Sequence, residues 1–358
     1  ERQKIKTNAR QKVNTVYHSS VIYEKKMQVL QPLLKKNNRP ENEFPFLAER
    51  FRNTEPVRKE NEVKGLLSIV VPYYNMGAYI DDTISSLRNI NHSHREIIIV
   101  NDGSNEEQSL RRLDSFRNID GIRVIDTENR GLAHSRNTGA EAARGEWMAF
   151  LDADDTVDPT YYSRAIDVLS HYDNVHFVGS WVKYFGNSDR IWPAFTPEPP
   201  IILNQNTVNS SALVYKRAAF LAGGMNDRKM LFQGFEDYAS VISMLDHGFG
   251  GVVIPEPLFN YRVRHQSMFR VMSKSKKLNL YHHMSRNHAA FYGKYAVDLF
   301  NLLNANGPGI DTDNPSLDYH LSDNLPFGGR LSRQIIALVK KNRYVKTMAY
   351  KAYKMIKK

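Results

Sequence analysis

The 358-residue chain contains no cysteine. Disulfides, zinc–thiolate sites and thiol-dependent catalysis are therefore excluded, and a reducing cytoplasm is compatible with the composition. The sequence also lacks an apolar run of the roughly 18–20 residues that a membrane-spanning helix needs. It begins at Glu1 without an initiator methionine or a signal-like apolar core, so we expect a fragment or a trimmed chain.

Charge is distributed unevenly along the chain, whose net charge is +11. Residues 330–358 contain ten Lys/Arg and no acid, and residues 1–64 have a net charge of +7. The intervening stretch, 65–329, has a net charge of −6. We therefore expect the basic ends and the central region to bind different partners.

Short β-branched runs alternate with helical patterns after residue 65. The runs are "LLSIVVPYYN", "REIIIVNDGSN", "GIRVIDTEN" and "EWMAFLDADD", and each ends in a polar cluster. This alternation predicts an α/β fold with a doubly wound, mainly parallel sheet covered by helices on both faces. Ligands of such sheets bind beyond the carboxyl ends of the strands, where the polar clusters lie.

The fourth run leads into "WMAFLDADDTVDPTYY", residues 147–162, which contains four aspartates within seven positions. Carboxylates this close repel one another unless a cation or a hydrogen-bond network compensates. A capped turn before Asp158 is one explanation. A hard divalent cation, Mn²⁺ or Mg²⁺, explains the cluster better because such ions are held by one or two carboxylates together with substrate phosphates.

Six motifs follow one another over residues 68–267: "SIVVPYYN", "IIIVNDGSN", "NRGLAHSRNTG", "MAFLDADD", "GFEDY" and "YRVRHQS". This series resembles the family 2 glycosyltransferases, which are nucleotide-sugar-dependent inverting enzymes of GT-A fold. The resemblance covers a little over half of the chain. It implies a GT-A domain over 65–270, a metal-assisted transfer to a glycan hydroxyl, and a UDP-sugar as donor.

Position by position, the resemblance implies roles for individual residues in donor binding. The residues implied to contact the nucleotide sugar are Pro72, Tyr74, Asn75, Asp102, Arg136, Asn137 and Asp152. Asp152 and Asp154 form the Asp-x-Asp that meets ribose and metal, with Asp154 the direct ligand. Arg262 and Arg264 are candidate diphosphate contacts because the diphosphate needs positive charge. For His265, a third metal ligand and a phosphate or packing contact remain open.

The catalytic base implied by the resemblance is Asp237, which opens a predicted helix. A carboxylate opposite the leaving group can accept the acceptor hydroxyl's proton, which gives inversion. Glu236 is its competitor, and a purely structural role of both residues at the helix start also remains open.

Two other functions remain as alternatives: a sugar-phosphate nucleotidyltransferase and a catalytically inactive glycan-binding GT-A module. A nucleotidyltransferase should carry a glycine-rich, basic loop after the first strand. "VPYYNMGAYI" has one glycine and no base. The Gln-x-x-Arg-Trp motif of processive members is absent, which favours a soluble or peripheral enzyme. The aromatic stretch 181–195 is interpreted either as an acceptor platform or as core.

The regions flanking the GT-A domain are predicted as extensions. Residues 1–64 form a helix and a linker. The helix is similar to the closing helix of GT-B glycosyltransferases, which implies a preceding glycosyltransferase domain, and an ordinary amphipathic helix of this composition remains the alternative. Residues 271–329 form a helical and loop-like extension. Residues 330–358 form a basic amphipathic helix that either lies on an anionic membrane or packs on the domain.

These extensions set the expected partners and location. Each base near an anionic surface contributes about 1 kcal/mol to membrane binding. We expect a cytoplasmic protein, peripheral at the inner face of the plasma membrane, acting on a glycan or lipid-linked glycan acceptor. No nucleic-acid partner is expected because the catalytic motifs offer it no role.

Overall fold

The computed structural model describes residues 28, 41–47, 51, 62–230, 232–264 and 272–306. The chain divides into two compact units, Glu1–Phe46 and Leu47–Lys358. The described part of the first unit includes a turn in which Phe44 and Phe46 make an edge-to-face contact. All elements named below belong to the second unit.

The first half of the second unit alternates strands and helices along the chain. Its elements are β1 Val63–Tyr73, α1 Ile80–Arg88, β2 Arg95–Asp102, α2 Glu107–Asp114, β3 Ile122–Thr127, α3 Leu132–Ala142 and β4 Gly145–Phe150. β1 pairs in parallel with both β2 and β4, and β2 pairs in parallel with β3. Residues 66–73 of β1 are all buried, so both faces of this strand are covered.

The second half extends the sheet with shorter and longer strands. Its elements are β5 Thr156–Val157, α4 Tyr161–His171, β6 Phe177–Gly186, β7 Ile191–Trp192, α5 Ile201–Asn204, a 3₁₀ turn Ser210–Ala212, β8 Val214–Lys216, α6 Arg217–Ala219, a π turn Phe220–Gly224, α7 Glu236–Asp246 and β9 Gly251–Val263. The sheet order is β3-β2-β1-β4-β8-β6-β9-β5, and β7 pairs with β6. Three helices follow: α8 Lys274–Asn287, α9 Ala289–Lys294 and α10 Ala296–Asn306.

The predicted α/β fold is confirmed: the sheet is mixed, and its longest pairings, among β1, β2, β3 and β4 and between β6 and β9, are parallel. β8 runs antiparallel to both β4 and β6, and β5 runs antiparallel to β9. Every antiparallel pair of the described strands involves one of the short strands β5, β7 and β8, which join the sheet after β4. The long strands β6 and β9, which pair in parallel, complete this half.

Several predictions concern residues outside the described part. They are the N-terminal helix and most of the linker in 1–64, His265, the loop-like stretch after residue 306, and the basic helix 330–358. The predicted domain boundaries likewise stay predictions. Within the described ranges, no helix combines the length and apolar character needed to cross a bilayer.

Gly139 of α3 lets this helix approach the sheet closely. A Cβ atom at this position would lie 2.2 Å from Val70 Cγ1 of β1 and 3.2 Å from Val100 Cγ2 of β2. Val70 is fully buried and its side chain is stiff, so the strand has little freedom to yield. The small residue thereby fixes the distance between α3, which carries Arg136, and the strands whose ends carry the polar clusters.

Gly139→Ala should lower the free energy of unfolding by about 1–3 kcal/mol because the added methyl overpacks a filled core. The measurement is equilibrium urea unfolding, compared at equal m-value. Gly293→Ala in α9 is the matched control because its Cβ would meet nothing within 4 Å. It should be neutral or stabilising by up to about 1 kcal/mol. Equal effects of the two substitutions would contradict this packing argument.

Candidate functional site

A cavity of about 580 Å³ lies at the carboxyl ends of β1, β2 and β4. The structure brings nine of the predicted site residues into its lining: Pro72, Tyr74, Asp102, Arg136, Asp152, Asp154, Glu236, Asp237 and Arg264. They come from six separate segments of the chain. The sheet therefore gathers residues that are up to about half the chain apart in sequence.

The Asp-x-Asp segment forms a tight turn directly after β4. The Asp155 N–H donates to the Asp152 carbonyl at 3.0 Å, which turns the chain beneath the cavity. Asp152 and Asp154 line the cavity, whereas Asp155 is 1% exposed and accepts a hydrogen bond from the Arg262 N–H at 2.7 Å. Asp158 accepts from the Thr160 N–H and hydroxyl, so it shapes the next turn.

Arg136 is the central cation of the cavity wall. It is 2% exposed and its Nη2 donates to Asp152 Oδ1 at 2.8 Å, while its Nη1 lies 3.4 Å from Glu236 Oε1. Burial lowers the pKa of Arg136, but Asp152, Asp237 and Glu236 outweigh it, so the pKa lies above its ordinary value. One guanidinium thus connects the Asp-x-Asp turn to the start of α7.

The two acids at the start of α7 have different environments. Glu236 is buried, and its Oε2 also accepts from the Gly234 N–H at 2.5 Å. Asp237 is partly exposed to the cavity, and its Oδ1 accepts from the Tyr238 N–H at 2.8 Å. Burial raises the pKa of Asp237 to about 6, with Arg136 opposing the shift and Glu236 adding to it. The Glu236 carboxylate is thus held by Arg136 and the Gly234 N–H, whereas the Asp237 carboxylate faces the cavity.

The two arginines of β9 and its extension take different positions. Arg264 forms an ion pair with Asp154, with Nε 2.7 Å from Oδ2, and lines the cavity. Burial raises the pKa of Asp154 to about 6 although Arg264 opposes the shift.

Arg262 lies outside the cavity lining, and its expected contact with a diphosphate stays a prediction. Its Nε donates to the Asp154 carbonyl and its Nη2 to Asp82 Oδ2, both at 2.7 Å. Its guanidinium also stacks on Phe185, 4.4 Å from the ring centroid. Through these contacts the Arg262 side chain holds the Asp-x-Asp turn in place.

Asp102, at the end of β2, holds the segment that opens α3. Its two carboxylate oxygens accept from the N–H groups of Arg130 and Gly131, each at 2.9 Å. Gly131 has a φ of 90°, and a Cβ there would lie 1.9 Å from Gln233 Nε2. The positive φ favours glycine at this position, whereas the Gln233 contact involves the end of a flexible, exposed side chain that can move.

Two predicted donor contacts, Asn75 and Asn137, also lie outside the cavity lining. The Asn75 Oδ1 accepts from the Asn105 and Glu106 N–H groups, which anchors the start of α2. Asn137 exchanges hydrogen bonds with the Asn226 backbone through both its Nδ2 and its Oδ1, at 2.8 Å each. The structure gives both side chains a supporting position, and their roles in donor binding stay predictions.

The donor atoms present fit a hard divalent ion. Asp152 and Asp154 supply carboxylate oxygens on one turn, which is the type of ligand that Mn²⁺ and Mg²⁺ prefer. No cluster of three or more His, Cys, Asp or Glu suited to a metal occurs among the described residues. A metal held here would therefore take its remaining ligands from the substrate, from water or from residues outside the described part, such as His265.

Part of the cavity wall is aromatic. Tyr184 of β6 and Tyr261 of β9 meet edge to face with centroids 5.7 Å apart, and Trp192 lies in the same wall. Other lining residues were not predicted from the sequence: Tyr73, Asn206, Asn209, Ser210, Ser211, Gln233, Tyr261 and Tyr281. Most of them lie in loops or at strand ends without a periodic signal, and only the aromatic composition of 181–195 pointed to this wall.

Comparisons with known proteins agree with this arrangement. The model of the family described as "Glycosyl transferase family 2" matches residues 68–225. An uncharacterized glycosyltransferase of Haemophilus influenzae is 30% identical over 203 residues, which cover 54% of this chain and 67% of that protein. The glycosyltransferase EpsH of Bacillus subtilis is 45% identical over 96 residues, 26% of this chain and 28% of EpsH. This second match therefore spans little more than a quarter of its relative.

The fold has a solved counterpart. The crystal structure of GalNAc-T7 with UDP, GalNAc and Mn²⁺ superposes with a TM-score of 0.51 at 17% identity, covering 64% of this chain and 48% of that one. This likeness shows the fold alone, an α/β domain of GT-A type. The sequence relatives, the family match and the shared fold lead to one conclusion: the chain belongs to family 2 of the glycosyltransferases.

Proposed function

We propose that the chain is an inverting, metal-assisted glycosyltransferase that moves a sugar from a nucleoside-diphosphate sugar, a UDP-sugar, to a glycan hydroxyl. The observation that carries this proposal is the Arg136 bridge. It brings the Asp-x-Asp turn and the Glu236–Asp237 pair to the same cavity, so donor-binding carboxylates and a candidate base face one space.

The charge of the cavity supports a cation as cofactor. The described lining contains five carboxylates, namely those of Asp102, Asp152, Asp154, Glu236 and Asp237, and two guanidinium groups. Both guanidinium groups are already paired with carboxylates. A diphosphate entering this cavity would meet a net negative charge. Mn²⁺ or Mg²⁺ held by Asp152 and Asp154 would compensate that charge, and it would act as a Lewis acid on the leaving diphosphate.

Asp237 is the residue we assign as general base. In the proposed transfer the acceptor oxygen attacks the anomeric carbon, the bond from that carbon to the diphosphate oxygen breaks, and the hydroxyl proton passes to the Asp237 carboxylate. Glu236 is less suited because its two oxygens are engaged by Arg136 and the Gly234 N–H. Arg136 holds this pair in place, so we assign it a positioning role.

The aromatic part of the cavity wall is where we place the sugars. Trp192, Tyr184 and Tyr261 offer apolar ring surface against which pyranose rings can pack. Asn206, Asn209 and Ser211 lie beside them and supply amide and hydroxyl groups for sugar hydroxyls. We propose a glycan or lipid-linked glycan as the acceptor, at the cytoplasmic face of a membrane.

The proposal is tested by incubating the protein with a panel of UDP- and GDP-sugars in Mn²⁺ and, in parallel, in EDTA. We expect Mn²⁺-dependent release of UDP from at least one UDP-sugar, with EDTA abolishing the release. A protein that binds glycans but neither binds nor turns over any donor would be an inactive module, and the transferase proposal would then be wrong.

Asp237→Asn should reduce kcat by about 10²–10⁴-fold because an amide cannot accept the proton. UDP affinity, measured by calorimetry in Mn²⁺, should change little. Asp246→Asn is the matched control because Asp246 ends the same helix and pairs with His288 at the surface. Equal loss of UDP binding and turnover in the Asp237 variant would place this residue in the donor site instead.

The same assignment predicts the pH dependence of kcat/KM. The base acts when deprotonated, and the pKa of Asp237 is raised to about 6 from an ordinary value of 3.8. The rate at saturating Mn²⁺ should therefore be constant above about pH 7 and fall about tenfold per pH unit below about pH 6. A rate that holds down to about pH 4 would contradict the role of this carboxyl.

A further inference from the structure

Among the described residues, five of the eleven exposed large apolar side chains lie on α8 and α10. On α10, Val297 is 72% exposed, Phe300 66% and Leu303 43%, and these residues recur every three positions along one stripe. On α8, Leu278 is 59% exposed. Isolated exposed apolar residues are ordinary, but a stripe of large ones on a single helix indicates a binding surface.

Helix α8 has an inner and an outer face with different chemistry. The inner face buries Leu280 and Met284, and His283 Nε2 lies 2.6 Å from Asp227 Oδ2, which fixes the helix on the domain. The outer face exposes a series with a spacing of four residues: Lys274, Leu278, His282 and Arg286. The helix therefore presents cations and one large apolar side chain outward.

The stretch 272–297, which includes α8 and α9, carries positive charges and no acidic residue. Residues 272–297 contain five Lys/Arg and no Asp or Glu, and the first acid is Asp298. Helices α8, α9 and α10 follow one another directly, and each contacts the next. The five cations lie on α8 and α9, and the apolar stripe lies on the adjoining α10. Neighbouring basic and apolar side chains are the composition of elements that lie in the interface of an anionic membrane.

We propose that α8–α10 form a docking surface for an anionic lipid membrane. Charge distinguishes this occupant from two others. A second copy would bring its own five cations against the same five. The basic segment 330–358 of this chain, with ten Lys/Arg and no acid, would be repelled in the same way. An anionic lipid surface complements the cations and accepts the apolar stripe.

This surface adjoins the candidate active site. Tyr281 of α8 lines the cavity and stacks edge to face on Phe235, which directly precedes Glu236. Helix α10 contacts α5, whose Ile201 is 45% exposed, and the cavity-lining residues Asn206 and Ser210 follow α5. A membrane on α8–α10 therefore lies close to where an acceptor carried by a lipid would be needed. The docking surface does not depend on the proposed function, since vesicle binding is measured without turnover.

The absence of cysteine permits a site-specific test in the full chain. Asn304→Cys, one turn after Phe300 on α10, carries an environment-sensitive fluorophore. Vesicles of phosphatidylcholine with about one third phosphatidylglycerol should shift its emission to shorter wavelength, and pure phosphatidylcholine should shift it much less. The same label at Lys183→Cys, an exposed position on β6, should not respond. Vesicle binding without a response at position 304 would overturn the proposal.

Charge and apolar variants test the two components separately. Lys274→Glu with Arg286→Glu, and Val297→Asp with Phe300→Asp, should each lower the partition coefficient onto the anionic vesicles by about tenfold. Lys64→Glu with Lys183→Glu is the charge-matched control and should have a smaller effect. Donor turnover in solution should be unchanged in every variant, so failure here is distinguishable from failure of the transferase proposal.

Two outcomes favour other occupants of the surface. A label at position 304 that is already in an apolar environment without vesicles, in a monomer, indicates that the chain's own segment covers the stripe. A response that rises with protein concentration and accompanies dimer formation in sedimentation indicates a second copy. Either result would overturn the proposal.

Discussion

The site depends on one buried cation among carboxylates. Arg136 is fully enclosed, and it joins Asp152 on the turn after β4 to Glu236 at the start of α7. Removing one partner from such a buried cluster typically costs 3–5 kcal/mol because the remaining charges lose their compensation. The Asp-x-Asp turn and the start of α7 are the two segments that we propose act on one substrate. The ion pairs with Arg136 both hold these segments together and compensate the charges that are buried there.

The elements that the sequence could predict are those with a local signal. β1 and β2 are continuous β-branched runs, and α1 and α7 have helical spacing, so their positions follow from periodicity. Because parallel strands end at the same edge of the sheet, Asp102 and Asp152 could be placed together from the pattern alone. The motif order then extended this placement to Asp237, which the structure also puts in the cavity.

The features of the site that the sequence could not predict depend on contacts between residues that are distant in sequence. Such contacts produce no hydrophobic periodicity. Arg262 and Arg264 are two residues apart and chemically identical, yet the first clamps the Asp154 carbonyl and stacks on Phe185, while the second pairs with the Asp154 carboxylate in the cavity. Side chains two positions apart in an extended strand lie on the same face, and both guanidinium groups do lie over the Tyr79 ring. Their partners differ because β9 ends at Val263, so Arg262 lies in the strand and Arg264 beyond it. Nothing in "YRVRHQS" specifies which of them faces the ligand. Tyr281 reaches the cavity only because α8 packs beside Phe235.

The distribution of charge relates the two proposed surfaces to each other. The described lining of the cavity is acidic, whereas the adjoining helices α8 and α9 are basic, so the proposed membrane contact is attracted to these helices and repelled by the cavity. This difference in charge orients the protein on the proposed membrane surface as well as binding it there. The acidic cavity does not itself attract anionic lipid headgroups, and in the proposed function Mn²⁺ or Mg²⁺ would compensate the negative charge that Arg136 and Arg264 leave. Membrane contact and donor binding thus rely on opposite charges at adjacent parts of one fold, and neither ligand competes for the other's site.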